Sequence, residues 1–383
     1  MDFLRATQMH LAMQWEGNYW SKHSLEELGL KEEEKEQRGQ TFLWNFVAWN
    51  SSHDAECKSI SRLLGKTLLV CPGPVEYRNP YTESGATYPP FIVGHDEEGA
   101  PVKDTCDPEQ VKGDAQRGMS LAFFRRGVLA KYFAEPRRYL IEDGRLSCGG
   151  LWGLRMDNDH PKYVIAFLMD LGLGLPPMEC AHWESHNVAP DGGPSETFYT
   201  RNIRGWFASP KMPDLRLKSL YPRVNELWEQ KHGWPLWREA AEEDFYIFRQ
   251  LHVCLEENQA EFDQQNGLLA KLLNDFLNEV KIKAAINAQP MPEGGLNRLQ
   301  RFLLDSGHAD AELHIKPLRI VQSLRSKGSA HGKSKEYTSC LERAGLAGLS
   351  IVECSSRVFS GAVDFVEWIR TAVLNDKSAR ERV

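Results

Sequence analysis

A chain of 383 residues is long enough for more than one core, because single cores stop growing near about 250 to 300 residues, and its 42% apolar and 26% charged composition excludes a disordered chain. The formal net charge of -7 excludes a surface coated with positive potential, so any nucleic-acid contact has to come from a local patch. Eight cysteines, at 57, 71, 106, 148, 180, 254, 340 and 354, contain no close CxxC pair; this argues against the usual structural zinc spacing and for reduced thiols.

The opening residues "MDFLRATQMHLAMQW" lack the apolar core of a signal peptide, and no stretch approaches the roughly 18 to 20 apolar residues of a membrane span, so a cytoplasmic protein is expected. From Ser24 to Asn50, a Ser24 cap with Glu27 three residues on, a charged run and then Phe42, Leu43, Trp44, Phe46, Val47 and Trp49 predict a charged helix followed by a buried one. Between Lys66 and Val102 alternating Pro, Gly and Tyr predict short strands and turns. Asp143-Gly144 predicts a hairpin, since this dipeptide supplies the positive φ angles of tight turns, and Tyr163 to Met169 reads as an apolar strand.

Three separated prolines and a Gly pair then interrupt regular structure, with one short helix capped by Ser195 expected inside. Beyond Leu215 the period is helical. Leu255, Phe262, Leu269, Leu272, Leu273, Phe276, Leu277 and Val280 form one stripe of a long helix. Further helices are expected at Leu296 to Ser306, Pro317 to Lys327, Lys335 to Ala344 and Ser350 to Leu374. The expected fold is therefore α+β: a mixed α/β region over residues 1–187 for sensing or binding, a connecting region 188–215, and a helical bundle 216–383.

The chain has no GxxxxGK[ST] loop, no GxGxxG after a strand and no GxSxG elbow, so nucleotide hydrolysis, dinucleotide binding and the α/β-hydrolase elbow have no motif to carry them. His182 and His186 share a helical face at four-residue spacing, but Glu184 sits midway between them and projects away, unlike the glutamate of either zincin pattern. Asp157, Asp159 and His160 fit a turn better than a cation loop, for want of the glycine such a loop needs. Arg125, Arg126, Lys131, Arg137 and Arg138 interleave with Phe123, Phe124, Tyr132, Phe133 and Tyr139, a mixture found both in amphipathic elements with buried aromatics and on nucleic-acid surfaces. No metal or cofactor is called for.

A basic patch stands out in this acidic chain: Lys316, Arg319, Arg325, Lys327, Lys333, Lys335 and Arg343 against Glu336 and Glu342. It would attract a phosphodiester backbone. Within it, "LRSKGSAHGKS" sets Arg325 six positions before His331, which on one straight helix leaves the side chains about 120° apart and roughly 9 Å apart along the axis. Either Gly328 breaks the helix and folds the pair together, or two copies of the chain each bring a pair to a shared groove.

Arg325, the polar Ser326 and His331 resemble the Arg, four to six residues, His motif of the HEPN-type nucleases of bacterial toxin and phage-defence systems. The resemblance covers the helical half alone, and the N-terminal half resembles no family. It implies a metal-independent endoribonuclease active as a homodimer, with His331 moving the proton of the RNA 2′-hydroxyl or leaving group and Arg325 stabilising the phosphoryl oxygens. Ser326, Lys327, Lys333, Lys335 and Arg319 would then help bind RNA, and the N-terminal half would receive an activating ligand or partner. The alternative from another class is a non-catalytic nucleic-acid- or protein-binding scaffold whose helical half mediates oligomerisation, and the plain reading of Arg325 and His331 themselves is an ordinary basic connector between two helices.

Overall fold

Phe42 to Asn50 form a strand, not the buried helix expected there. The computed structural model describes residues 11–39, 41–51, 57–69, 87–111, 114–286, 290–328 and 335–375, and the chain divides into two compact units, Met1–Glu83 and Ser84–Val383. The first unit holds four antiparallel strands, β1 (Leu11–Ser21), β2 (Glu33–Arg38), β3 (Phe42–Asn50) and β4 (Ser59–Leu69), in the order β1-β4-β3-β2. The period that counts in β3 is two: Phe42, Trp44 and Phe46 lie on one face opposite Thr67, Gly65 and Leu63, and Leu43, Asn45 and Val47 lie on the other.

The charged run is the edge strand β2, where Glu33, Lys35 and Gln37 pair with Ala48, Phe46 and Trp44. Charged side chains on an edge discourage further strand pairing, which explains a sequence that otherwise looks helical. Ser24 and Glu27 do make their reciprocal capping bonds, at 3.2 and 2.9 Å, but the cap closes only a turn at 25–29.

The second unit begins with the ribbon β5 (Pro90–His95) and β6 (Pro101–Thr105), then the single turns α1 (Pro108–Val111) and α2 (Ala115–Gly118). β7 (Leu121–Arg125) leads through a 3-10 turn, Arg126–Leu129, into α3 (Ala130–Ala134). The meander β8 (Tyr139–Glu142), β9 (Arg145–Cys148) and β10 (Trp152–Arg155) carries the expected hairpin, with Glu142 opposite Arg145; of its two turn residues only Gly144 takes a positive φ, +77°. β11 (Tyr163–Phe167) pairs with β7 as an expected strand but ends at Phe167, where α4 (Leu168–Gly174) starts. α5 (Pro177–Glu184) and β12 (Asn187–Val188) complete this part, and β12 joins the other side of β7. Its core gathers Phe91, Phe124, Tyr132, Tyr139 and Trp183, with Phe124 edge-on to both Phe91 and Trp183.

The stretch 188–215 lies inside this second unit. It contains α6 (Glu196–Asn202), capped as expected by Ser195, whose Oγ accepts the Phe198 N–H. The helical part follows: α7 (Pro213–His232), α8 (Tyr246–Gln250), α9 (Gln259–Ala270), α10 (Glu279–Ala284), α11 (Gly295–Asp305), α12 (Ala311–Gly328), α13 (Lys335–Arg343) and α14 (Ile351–Trp368). The architecture is α+β, and the four expected C-terminal helices are present.

The stripe from Leu255 to Val280 is not one helix. Asn258 accepts from Ala260 and Glu261 N–H and starts α9 after Leu255; α9 continues as a π-helical turn, Lys271–Asp275, and Asn278 caps α10 by accepting from Lys281 N–H. Val280 therefore leaves the stripe and is 77% exposed. Two caps outweigh the hydrophobic period here. Pro317 lies inside α12, where it removes one ladder donor, and it sits against Gly361 of α14: a Cβ there would come 3.1 Å from the proline Cβ.

Gly172 of α4 packs so close to the chain that a Cβ would lie 1.8 Å from the Cys106 carbonyl oxygen. Because the obstacle is backbone, Gly172→Ala has to displace the helix. It is expected to lower unfolding stability by about 3 kcal/mol in urea denaturation; an unchanged midpoint would contradict the packing.

Candidate functional site

The last turn of α12 carries Arg325, Ser326 and Lys327, and α13 opens with the exposed Lys335. Arg325 Nη1 lies 2.6 Å from Asp275 Oδ2, at the end of the π-helical turn that finishes α9. Ser326 Oγ donates to the Ser323 carbonyl at 3.1 Å, and Lys327 Nζ is 3.8 Å from Glu336 Oε2. Arg319, six residues before Arg325 and thus about 120° round the helix, faces α11 and donates to Asn297 Oδ1 and Gln300 Oε1 at 2.8 and 2.6 Å. Arg325, Ser326 and Lys327 are thus brought together near Lys335, whereas Arg319 belongs to another face. His331 and Lys333 lie outside the described residues.

The other sequence candidates have structural work. Asp157 accepts the Ser195 N–H at 2.6 Å and its hydroxyl at 2.8 Å; Asp159 accepts the Lys211 and Met212 N–H groups at 2.8 and 2.6 Å. Burial raises the Asp157 carboxyl above its ordinary value, against the lowering effect of the Ser195 bonds. His160 Nδ1 accepts the Tyr163 N–H at 3.1 Å, and the turn reading of this stretch is the one its bonds describe. His182 Nε2 lies 2.9 Å from the Val128 carbonyl and His186 Nδ1 lies 3.1 Å from the His182 carbonyl, so each imidazole has a backbone partner. Among the described residues no group of three or more His, Cys, Asp or Glu side chains is placed to hold a metal ion. Phe123, Phe124, Tyr132, Phe133 and Tyr139 are buried, which spends the interleaved aromatics on the core.

Two titratable groups escaped the sequence reading. His252 is buried in a cavity of about 440 Å³ between α3 and the start of α9, stacked on Phe133 at 4.0 Å between centroids. Its Nε2 lies 3.1 Å from the Gln265 amide nitrogen and its Nδ1 lies 3.0 Å from the Val253 carbonyl, the pattern of a neutral ring with its proton on Nδ1. Burial, with the Lys218 and Arg126 charges adding to it, pushes this imidazole down to about 3. Lys218 of α7 borders a second cavity, of about 470 Å³. Its one sequence signal was position: a lysine three residues after Leu215 and three before Tyr221, on the side of α7 that faces the core.

No protein-family model, curated protein or solved structure matches this chain. Its function has to be argued from its own side chains.

A neutral His252 makes acid stability a test of the burial. An unfolded histidine titrates near about 6.5, so below that pH the unfolded chain binds a proton that the folded chain refuses. His252 thus contributes stability that is complete above about 6.5 and is lost as pH falls toward 3, at up to about 1.4 kcal/mol per unit. Urea unfolding at pH 7, 6 and 5 is expected to show a steeper fall in the native chain than in His252→Gln; equal slopes would put the ring in water.

Proposed function

We propose that the helical half is a metal-independent endoribonuclease, with Arg325 and His331 as its catalytic pair, serving a bacterial toxin or phage-defence role. The observation that carries this reading is the Arg325–Asp275 contact: the guanidinium at the end of α12 is aimed at an oxyanion at 2.6 Å, the geometry in which an arginine also holds a phosphodiester oxygen. Both groups are about half exposed, so the ion pair itself stabilises the fold by no more than about 1 kcal/mol and yields readily to a polyanion.

The chemistry follows from the residue types. His331 takes the proton from a 2′-hydroxyl, the 2′-oxygen attacks phosphorus, and the P–O5′ bond breaks, leaving a 2′,3′-cyclic phosphate and a 5′-hydroxyl. Arg325 neutralises the charge that builds on the phosphoryl oxygens. A second histidine to protonate the leaving oxygen would come from another copy of the chain, which is why a homodimer is part of the proposal. Ser326, Lys327, Lys333 and Lys335 would hold flanking phosphates, and the N-terminal part would bind the activating ligand or partner. We place this activity in the cytoplasm; among the described residues no helix is long and apolar enough to cross a membrane.

The same ion pair supports a second reading. If Asp275 is the permanent partner of Arg325, the end of α12 is part of a binding or scaffold surface without catalysis.

RNA cleavage in EDTA separates the two. The native chain is expected to release 2′,3′-cyclic phosphate ends, His331→Ala to cut at least about 100-fold more slowly, and Asp275→Asn to bind RNA several-fold more tightly by removing the carboxylate charge that a phosphate would have to displace. Salt-sensitive RNA binding without products in both the native chain and Arg325→Ala, the variant changing affinity or assembly alone, would favour the scaffold.

A further inference from the structure

The second cavity contains an imbalance of charge that no ion pair among the described residues resolves. It lies between the β8–β9 hairpin and helices α7 and α8. Leu140, Leu215 and Phe248 form an apolar wall, and Lys218, Arg145 and Arg249 line the same space, the Arg249 guanidinium at its edge and 5.5 Å from the centre of the Phe245 ring. None of the three is ion-paired to a carboxylate among the described residues. The Lys218 ammonium has the Phe133 ring 5.4 Å below it and makes no hydrogen bond among those residues; Arg249 Nη1 donates to the Pro136 carbonyl at 2.9 Å.

Two acids border the same space. Asp143 is already spent, its two oxygens bonded to Arg201 at 2.8 and 2.7 Å. Glu142 remains, so the lining carries a net positive charge near two. Burial pushes the Lys218 ammonium down to about 8, against the pull of Asp214 and Glu142, so its charge is held at a cost that a bound anion would remove.

We propose that this cavity binds a small phosphate monoester with a planar or apolar body, the phosphate set among Lys218, Arg145 and Arg249 and the body against Leu140, Leu215 and Phe248. Three cations suit a dianion, and two guanidinium forks suit its oxygens. The apolar wall would reject free inorganic phosphate in favour of an ester. This site goes beyond the ribonuclease reading and does not rest on it, since it shares no residue with the end of α12.

Calorimetric titration of the full chain tests it, with adenosine 5′-monophosphate and phenyl phosphate as probes and adenosine and phenol as uncharged controls. The expected result is saturable one-to-one binding of at least one ester. Lys218→Met is expected to weaken it at least tenfold, and Arg145→Gln, on the exposed rim, several-fold. Without ligand, Lys218→Met should melt no lower than the native chain, because it removes a charge held against burial and without an ion pair among the described residues; should that variant fail to fold, Arg145→Gln decides. The proposal is overturned by no saturable heat up to about 5 mM ester, by unchanged affinity in the folded variants, or by controls that bind as tightly as the esters.

Discussion

A knot of buried charge holds the second unit together, and the rest of its architecture depends on it. Arg126, the residue that follows β7, is buried and donates to the carbonyl of His160 at 2.7 Å. Around it stand Asp157, Asp159 and Asp214, all buried, whose charges oppose the downward push that burial exerts on the guanidinium. Each carboxylate then reaches for backbone. Asp157 takes the cap of α6, Asp159 takes the chain just before α7, and Asp214 takes the Val253 N–H at 3.2 Å; the next N–H, of Cys254, reaches Ser355 of α14. Bonds of this charge-assisted kind are worth about 1.5 to 3 kcal/mol each, and leaving any one group buried alone would cost as much or more. The backbone bonds of these carboxylates, with the Cys254–Ser355 bond beside them, thus form a path that ties the sheet of β7 to the last helix.

That path explains which parts of the sequence were legible. The C-terminal helices could be read because each carries its own hydrophobic period, and the last also carries its own cap, Ser350 and Glu353 in a reciprocal pair. The hairpin at Asp143-Gly144 and the Ser195 cap were legible for the same local reason. The first unit was not, because Glu and Lys in β2 favour a helix in isolation and only pairing with β3 makes them an edge strand. In β3 the aromatic residues on both faces hid the alternation. The π-helical turn before Asp275 and the split of α9 from α10 depend on Asn258 and Asn278 as caps, which the hydrophobic stripe concealed.

The candidate sites divide along the same line. Arg325 was visible because it stands in a run of basic residues, yet its partner Asp275 lies 50 residues away and no spacing rule connects them. Asp157 and Asp159 looked like a turn and serve as a turn whose acids also clasp distant segments. Lys218 and His252 were hard to read because their chemistry comes from surroundings: the same Phe133 ring lies under the lysine and against the imidazole, from the short helix α3, more than 80 residues before the lysine. Perturbed groups of this sort are made by tertiary packing, and single-sequence reasoning meets them only as ordinary residues.

The contact of Pro317 with Gly361 couples two positions that lie 44 residues apart. A proline without its N–H loosens the ladder of α12 just where α14 comes closest, and α14 can come that close only because position 361 has no side chain. The two positions are therefore not free to drift separately: a larger residue at 361 demands a smaller or shifted one at 317. Since Arg325 stands two turns farther along the same helix, a neutral-looking change on α14 would alter where the guanidinium is carried. In a lineage of such chains, the aim of Arg325 would be inherited through a pair of residues that never touch it.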